Sequence, residues 1–152
     1  NLEKTIHEAE GGIPMSDQER FEGFKKELIE ENEKKYGREI REKYGEESIE
    51  SANRKLADMT KEEYKDLQQI EAEMISLLKE AMKTGDPGNE KAQKAAALHK
   101  EWICRYWPQY TKEAHIELAD LYVNDERFKA YYDEKQPGLA QFLRDAIHKW
   151  LE

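Results

Sequence analysis

From His99 to Ile147 large aromatic residues recur at helical spacing, and turn signals interrupt them at Asn124-Asp125 and Pro137-Gly138. Residues three and four apart share one face of a helix, so the pattern reads as successive helices that each present rings to one side. Two of the three tryptophans, Trp102 and Trp107, lie in this stretch, and the third, Trp150, follows it. No segment alternates strand formers with polar residues over a sustained run. The fold expected is all-α. Rings concentrated in this way build either an ordinary core or a pocket.

Helix punctuation is legible along most of the chain. Ser16-Asp17-Gln18-Glu19 is a capping-box pattern, so a helix is expected from about Asp17, with Phe21, Phe24 and Leu28 as its apolar stripe. It runs toward Tyr36 and is expected to stop at Gly37. A short segment from Arg38 to Tyr44 should stop at Gly45. Residues 46 to 58 form a further weak helix carrying Ile49 and Leu56. Thr60-Lys61-Glu62-Glu63 is a second capping box, and the strongest helix follows it, with Leu67, Ile70, Met74, Leu77, Leu78 and Met82 in phase. Gly85-Asp86-Pro87-Gly88 ends that helix. The next begins near Asn89, is expected to bury His99, Trp102, Ile103 and Tyr106, and stops at Pro108. Thr111 caps a helix with His115, Leu118 and Tyr122. A short helix carries Phe128, Tyr131 and Tyr132, and Pro137-Gly138 opens the last.

Composition excludes several classes of function. The net charge is -9, and an acidic chain repels a phosphate backbone, so this segment alone should not bind nucleic acid. It offers no polybasic patch to a membrane and no apolar run near the roughly 20 residues a spanning helix needs. With one cysteine, Cys104, it has no intrachain disulfide, which fits a reducing, cytoplasmic setting. The chain begins at Asn1 without a secretory leader and is expected to be a segment of a longer protein.

No catalytic motif stands up, so an enzyme is not expected. The glycine pairs are not followed by Gly-Lys-Ser/Thr, and the four histidines at 7, 99, 115 and 148 lack metal-ligand spacing. Cys104 and His99 diverge by about 140° around a helix and make no nucleophile-base pair. His115 shares a stripe with Leu118 and Tyr122, which fits either a satisfied core group or a pocket residue. His99, one turn before Trp102 and Ile103, reads as core. Tyr106, Trp107 and Tyr110 surround Pro108 at a helix end, and grouped rings at such an end suggest a binding surface. Tyr131 and Tyr132 point about 100° apart, so one of the two should face outward.

Several of these residues fall in a recognisable order: His99, Trp102-Ile103, Glu113-Ala114-His115, Leu118-Ala119-Asp120, Tyr122-Val123, Asp125-Glu126-Arg127-Phe128, Pro137-Gly138-Leu139 and Leu143-Arg144-Asp145-Ala146-Ile147. This run resembles the TipAS antibiotic-recognition domain, the C-terminal effector-binding domain of MerR-type transcription regulators. Met59-Thr60-Lys61-Glu62-Glu63 and the stretch from Gly11-Gly12 through Met15-Ser16 to Phe21-Glu22-Gly23-Phe24 resemble its upstream part, so the likeness covers nearly the whole chain.

The resemblance implies a globin-like helical domain with a ligand cleft; the N-terminal helical third, rich in Glu and Lys and thin in large apolar groups, is expected from its composition to be mobile. Residues 1-12 would be the end of a dimerisation helix and a hinge. Residues 13-152 would be the effector-binding domain, loosely packed over 13-58 and a helical core over 59-152. It implies an activator that reversibly binds bulky hydrophobic antibiotics or drugs and switches on resistance or efflux genes. DNA would be bound only through a missing N-terminal domain. The full-length protein would be a homodimer and this segment a monomer, with no cofactor and no membrane partner. The candidate ligand-binding residues are Trp102, Tyr106, Trp107, His115, Leu118, Tyr122, Phe128 and Tyr132, with Phe21 and Phe24 as a lid. Some family members carry a cysteine two residues after the position of His115. Here Glu117 stands there, which is why reversible binding is expected. Two alternatives remain: a protein-interaction module that docks a partner helix or RNA polymerase without a small molecule, and a tetrapyrrole bound through His115.

Overall fold

The computed structural model describes residues 16–152, so the dimerisation-helix end and hinge expected over 1-12, and residues 13-15, lie outside the described residues. Among the described residues the secondary structure is helical, with no strand. The helices are α1 (Asp17–Asn32), a π-helical turn (Glu33–Gly37), α2 (Arg38–Tyr44), α3 (Glu46–Asp58), α4 (Lys61–Met82), α5 (Glu90–Cys104), α6 (Lys112–Asn124), α7 (Glu126–Asp133) and α8 (Leu139–Trp150). Among the described residues no helix is long and apolar enough to cross a membrane.

The caps expected from sequence form. The Ser16 hydroxyl accepts from the Glu19 amide at 3.1 Å. Thr60 and Glu63 bond reciprocally, with the Glu63 amide 3.1 Å from Thr60 Oγ1 and the Thr60 amide 3.4 Å from the Glu63 carboxylate. Asn89, Thr111 and Asp125 accept from Ala92, Ala114 and Arg127 at 3.0, 3.1 and 2.9 Å. Each such bond satisfies an amide that the first helical turn would otherwise leave without a partner, a contribution of about 1 kcal/mol.

Two expectations are corrected. Gly37 does not stop a helix: its backbone is right-handed helical (φ -54, ψ -45), and the chain passes through one π-helical turn directly into α2. The glycine is there for space. A Cβ would collide with the Glu33 carboxylate, which occupies that position to bond Arg41. The break falls at Gly45, whose φ of 90° is strained for any side-chain-bearing residue. The second correction concerns α5, which ends at Cys104, before Tyr106, and leaves Trp102 half-exposed. The Arg105 amide bonds back to the Trp102 carbonyl at 3.2 Å, tightening the last turn, and the chain then leaves the helix ahead of Pro108.

The described chain falls into two compact units: residues up to Tyr64 together with Tyr106–Pro108, and Lys65–Arg105 together with Gln109–Glu152. The first unit buries Phe21, Ile49, Leu56 and Met59 along with one charged group, Lys25. Lys25 sits on the stripe of α1 between Phe21 and Leu28. Its ammonium donates to the Ala57 and Met59 carbonyls at 2.6 and 2.8 Å and pairs with Glu22 at 3.0 Å, so all three donors are used. It also lies 4.7 Å from the Phe21 ring centroid. A cation against the last carbonyls of α3 also meets the negative end of that helix's dipole.

The second unit has the large core. Met74, Ile75, Leu78 and Ala81 of α4 pack with Ala92, Ala95 and Ala96 of α5, Ala119 and Tyr122 of α6, Tyr132 of α7, and Leu139, Leu143, Ala146 and Ile147 of α8. The alanines of α5 let helix backbones approach closely, and the larger side chains of α4 and α8 fill the remaining volume.

Candidate functional site

Within the second unit, five rings on three helices and one loop join in a line. Tyr110 precedes the Thr111 cap, and its Oη lies 2.8 Å from His115 Nδ1. His115 Nε2 lies 2.9 Å from His99 Nδ1, with the two imidazoles stacked at 5.0 Å and 10°. His99 Nε2 lies 2.9 Å from the Tyr122 hydroxyl. Tyr122 in turn packs on Tyr132, their ring centroids 4.8 Å apart. His99 and His115 are fully buried, and Tyr122 and Tyr132 are 2% and 4% exposed.

Helix phase explains how these rings meet. His99 is on the buried stripe of α5 with Ala95, Ala96 and Ile103; His115 and Tyr122, two turns apart, are on the buried stripe of α6 with Ala119. The two stripes face each other, and polar rings on both sides satisfy one another. Buried polar groups need such partners, since leaving one unmet costs about 1–3 kcal/mol.

Burial holds both imidazoles neutral. Desolvation, with a smaller contribution from His115, lowers the His99 pKa to about 3. Desolvation, and then the nearby Lys100 ammonium, lowers that of His115 to about 4. Tyr132 is raised well above the usual phenol value, first by burial and then by Tyr122. Neutral imidazoles bridge as one donor and one acceptor each, as a continuous line requires. Both nitrogens of His115 are committed, so it has no lone pair to offer a tetrapyrrole iron unless the line breaks.

Other rings flank the line. Trp102 is half-exposed and tilted against His99 at 5.9 Å. Trp150 meets His115 edge-on at 6.2 Å, and Lys100 lies 4.4 Å over the Tyr110 ring and 6.0 Å from Trp150. Phe128 packs on Tyr122 at 5.8 Å, and Leu118 is partly buried against the core. Tyr131 faces outward, with its hydroxyl on Glu71 and Lys135 3.8 Å over its ring.

The candidate residues therefore divide. Trp102, His115, Leu118, Tyr122, Phe128 and Tyr132 belong to the second unit; Phe21, Phe24, Tyr106 and Trp107 belong to the first. In the first unit Phe21 is buried and Phe24 is 41% exposed, and both meet the edge of Tyr64, at 5.9 and 5.4 Å. The Trp107 carbonyl accepts from Lys55 at 2.5 Å. His115, Tyr122 and Tyr132 are interior groups, whereas Trp102, Leu118 and Phe128 are partly exposed around them.

Two members of the line, Tyr110 and His99, are not among the candidate site residues drawn from the sequence. A signal for Tyr110 existed. With Thr111 as the cap, Tyr110 and His115 occupy the two positions that pack as a hydrophobic staple, before the cap and one turn inside it. No comparable local rule pairs His99 with a ring sixteen residues away.

The chain is similar to known proteins along most of its length. The family model described as "TipAS antibiotic-recognition domain" matches residues 36–150. The HTH-type transcriptional activator TipA of Streptomyces coelicolor is 32% identical over 148 residues, covering 96% of this chain and 57% of that protein. The HTH-type transcriptional activator mta of Bacillus subtilis is 27% identical over 146 residues, covering 96% of this chain and 56% of that protein. The chain thus spans a little over half the length of these relatives. Among solved structures, TipAS of Streptomyces lividans in complex with nosiheptide, from a thiopeptide antibiotic multidrug resistance system, aligns with a TM-score of 0.62 at 29% identity. That alignment covers 92% of this chain and 96% of that one.

Proposed function

Because the chain belongs to the TipAS antibiotic-recognition family, we propose that it is the effector-sensing domain of a MerR-type transcription activator. It reversibly binds bulky hydrophobic antibiotics or drugs and so switches on resistance or efflux genes. The observation that carries this reading is the alignment, along 92% of the chain, with a TipAS domain solved with nosiheptide. DNA binding and homodimerisation are assigned to the part of the relatives that this chain does not span, and the protein acts in the cytoplasm. Trp102, Leu118 and Phe128, partly exposed beside the buried rings, supply apolar and stacking contact. Phe21, Phe24, Tyr106 and Trp107 supply further rings from the first unit.

Binding is reversible because the position two residues after His115 is Glu117, which is no nucleophile toward an electrophilic ligand. The single cysteine, Cys104, lies exposed at the end of α5.

The test is thermal unfolding of the protein against nosiheptide and a panel of hydrophobic antibiotics, with tryptophan fluorescence as a second readout. A saturable rise in Tm is expected, because a ligand that binds only the folded state stabilises it; at a hundred times Kd the gain is about 2.7 kcal/mol. No shift across the panel would sink the reading and favour a partner-docking module. Intact mass after incubation should be unchanged. An adduct that disappears in Cys104→Ser would overturn reversibility.

A further inference from the structure

Lys100 stands apart from the other half-buried cations of the described residues. Arg41, Arg127 and Arg144 pair with carboxylates, and Lys55 and Lys135 donate to carbonyl oxygens. Lys100 meets rings instead. Its ammonium lies 4.4 Å over the Tyr110 ring and 6.0 Å from that of Trp150, and among the described residues it has no hydrogen bond and no ion pair. A ring face attracts a cation but does not neutralise it, so the three donors of the ammonium are left to water or to a ligand. Its field is felt in the interior: after burial, Lys100 is the second cause that lowers the His115 pKa.

The seat of this cation is anchored to the core. Tyr110 sets its hydroxyl 2.8 Å from His115 Nδ1, and His115 stacks on His99. Trp150, at the end of α8, is half-buried and meets His115 edge-on at 6.2 Å. Ammonium and indole thus border one patch that is partly open to solvent. Lys100 and Trp102 diverge by about 200° around α5, which puts this patch on the other flank of His99 from Trp102. None of Lys100, Tyr110 and Trp150 is among the candidate ligand-binding residues.

We propose that Lys100 and Trp150 form a separate binding site for planar aromatic carboxylates. The carboxylate pairs with the Lys100 ammonium and the ligand's ring stacks on the Trp150 indole, while the Tyr110 ring holds the ammonium in place. The pair supplies the anion that Lys100 lacks, and a charge-assisted bond of this kind is stronger than a neutral one, so the site separates an acid from its neutral amide. The net charge of -9 repels anions at long range, so recognition rests on this local pairing.

The test titrates the protein with naphthoate and with its neutral counterpart, naphthamide. Proton–nitrogen NMR of the tryptophan indoles reads the binding, with Trp150 assigned through Trp150→Phe. Naphthoate should move the Trp150 resonance saturably, naphthamide should bind about tenfold more weakly, and added salt should weaken naphthoate alone. Lys100→Gln with parental circular dichroism should lose about tenfold in affinity for naphthoate. The proposal is overturned by an unmoved Trp150 at millimolar naphthoate, by movement confined to Trp102 or Trp107, by equal binding of the two probes, or by unchanged affinity in Lys100→Gln. If that variant does not fold, the comparison of the two probes on the parent decides. Nosiheptide takes no part in these measurements, so their outcome is separate from that of the ligand-sensing reading.

Discussion

In the first unit the buried polar group is a cation: Lys25 is 2% exposed, seated on two carbonyls at the end of α3 and on Glu22. In the second unit the buried polar groups are two neutral imidazoles, seated on each other and on phenols. Both arrangements give the buried nitrogens partners, but they respond to different conditions. The buried lysine depends on its partners staying in place. An imidazole kept neutral by burial depends on the proton concentration. The apolar complement differs too, since the second unit surrounds its polar line with a continuous apolar core, and among the described residues the first buries Phe21, Ile49, Leu56 and Met59.

Acid gives the largest contrast. In the unfolded chain a histidine takes up its proton near pH 6.5, whereas the folded His115 and His99 hold off until about 4 and about 3. The stability these rings lend is thus full above 6.5 and falls as pH drops toward those values. Between pH 6.5 and 5 the two together remove roughly 3 kcal/mol. Urea titrations followed by amide NMR should show the second unit losing midpoint over this window. The first unit should hold, because the carboxylates displaced there, Glu31 and Glu33, are lowered by Lys35 and Arg41 and titrate below it. Equal loss in both units would break the contrast.

Lys25→Ala should reverse the order. It strips the Ala57 and Met59 carbonyls of their donor in a buried position, at a cost of about 2 kcal/mol. The same titration at pH 7 should register the loss first in amides of α1 and α3. A loss confined to the second unit would show that Lys25 has been misread.

Gly37→Ala is the smallest and sharpest test. The new methyl displaces the Glu33 carboxylate from Arg41, now 2.7 Å away. Side-chain carbon NMR should then find the Glu33 pKa back near the ordinary carboxylate value. Net stability should change by less than about 1 kcal/mol, because alanine gains helix propensity while the pair is lost. An unmoved Glu33 would mean that the π-helical turn had shifted instead.

The sequence revealed what depends on near neighbours. Caps at Ser16, Thr60 and Thr111 act over three residues, and the helices begin where they indicate. Gly37 misleads because a glycine that ends a helix and a glycine that admits a carboxylate read identically along the chain. Lys25 was legible in part: it stands in phase with Phe21 and Leu28, an odd place for a solvated lysine, but in a segment dense with lysine and glutamate the oddity is easily lost. The contact between His99 and His115 joins two helices, and helical phase alone gives each a buried face without naming what it faces. For the same reason sequence grouped His115, Tyr122 and Tyr132 with Trp102 as candidate site residues without separating interior rings from rim.

The attachment of Tyr106–Pro108 to the first unit, through Lys55 and the Trp107 carbonyl, also bears on the order of assembly. That hydrogen bond closes a loop of 52 residues. During synthesis the first three helices leave the ribosome long before Trp107 does, and until it arrives Lys55 has no such acceptor. Of the two units, the first begins earlier in the chain yet is completed late, and its final stitch waits on long-range loop closure rather than on local helix formation.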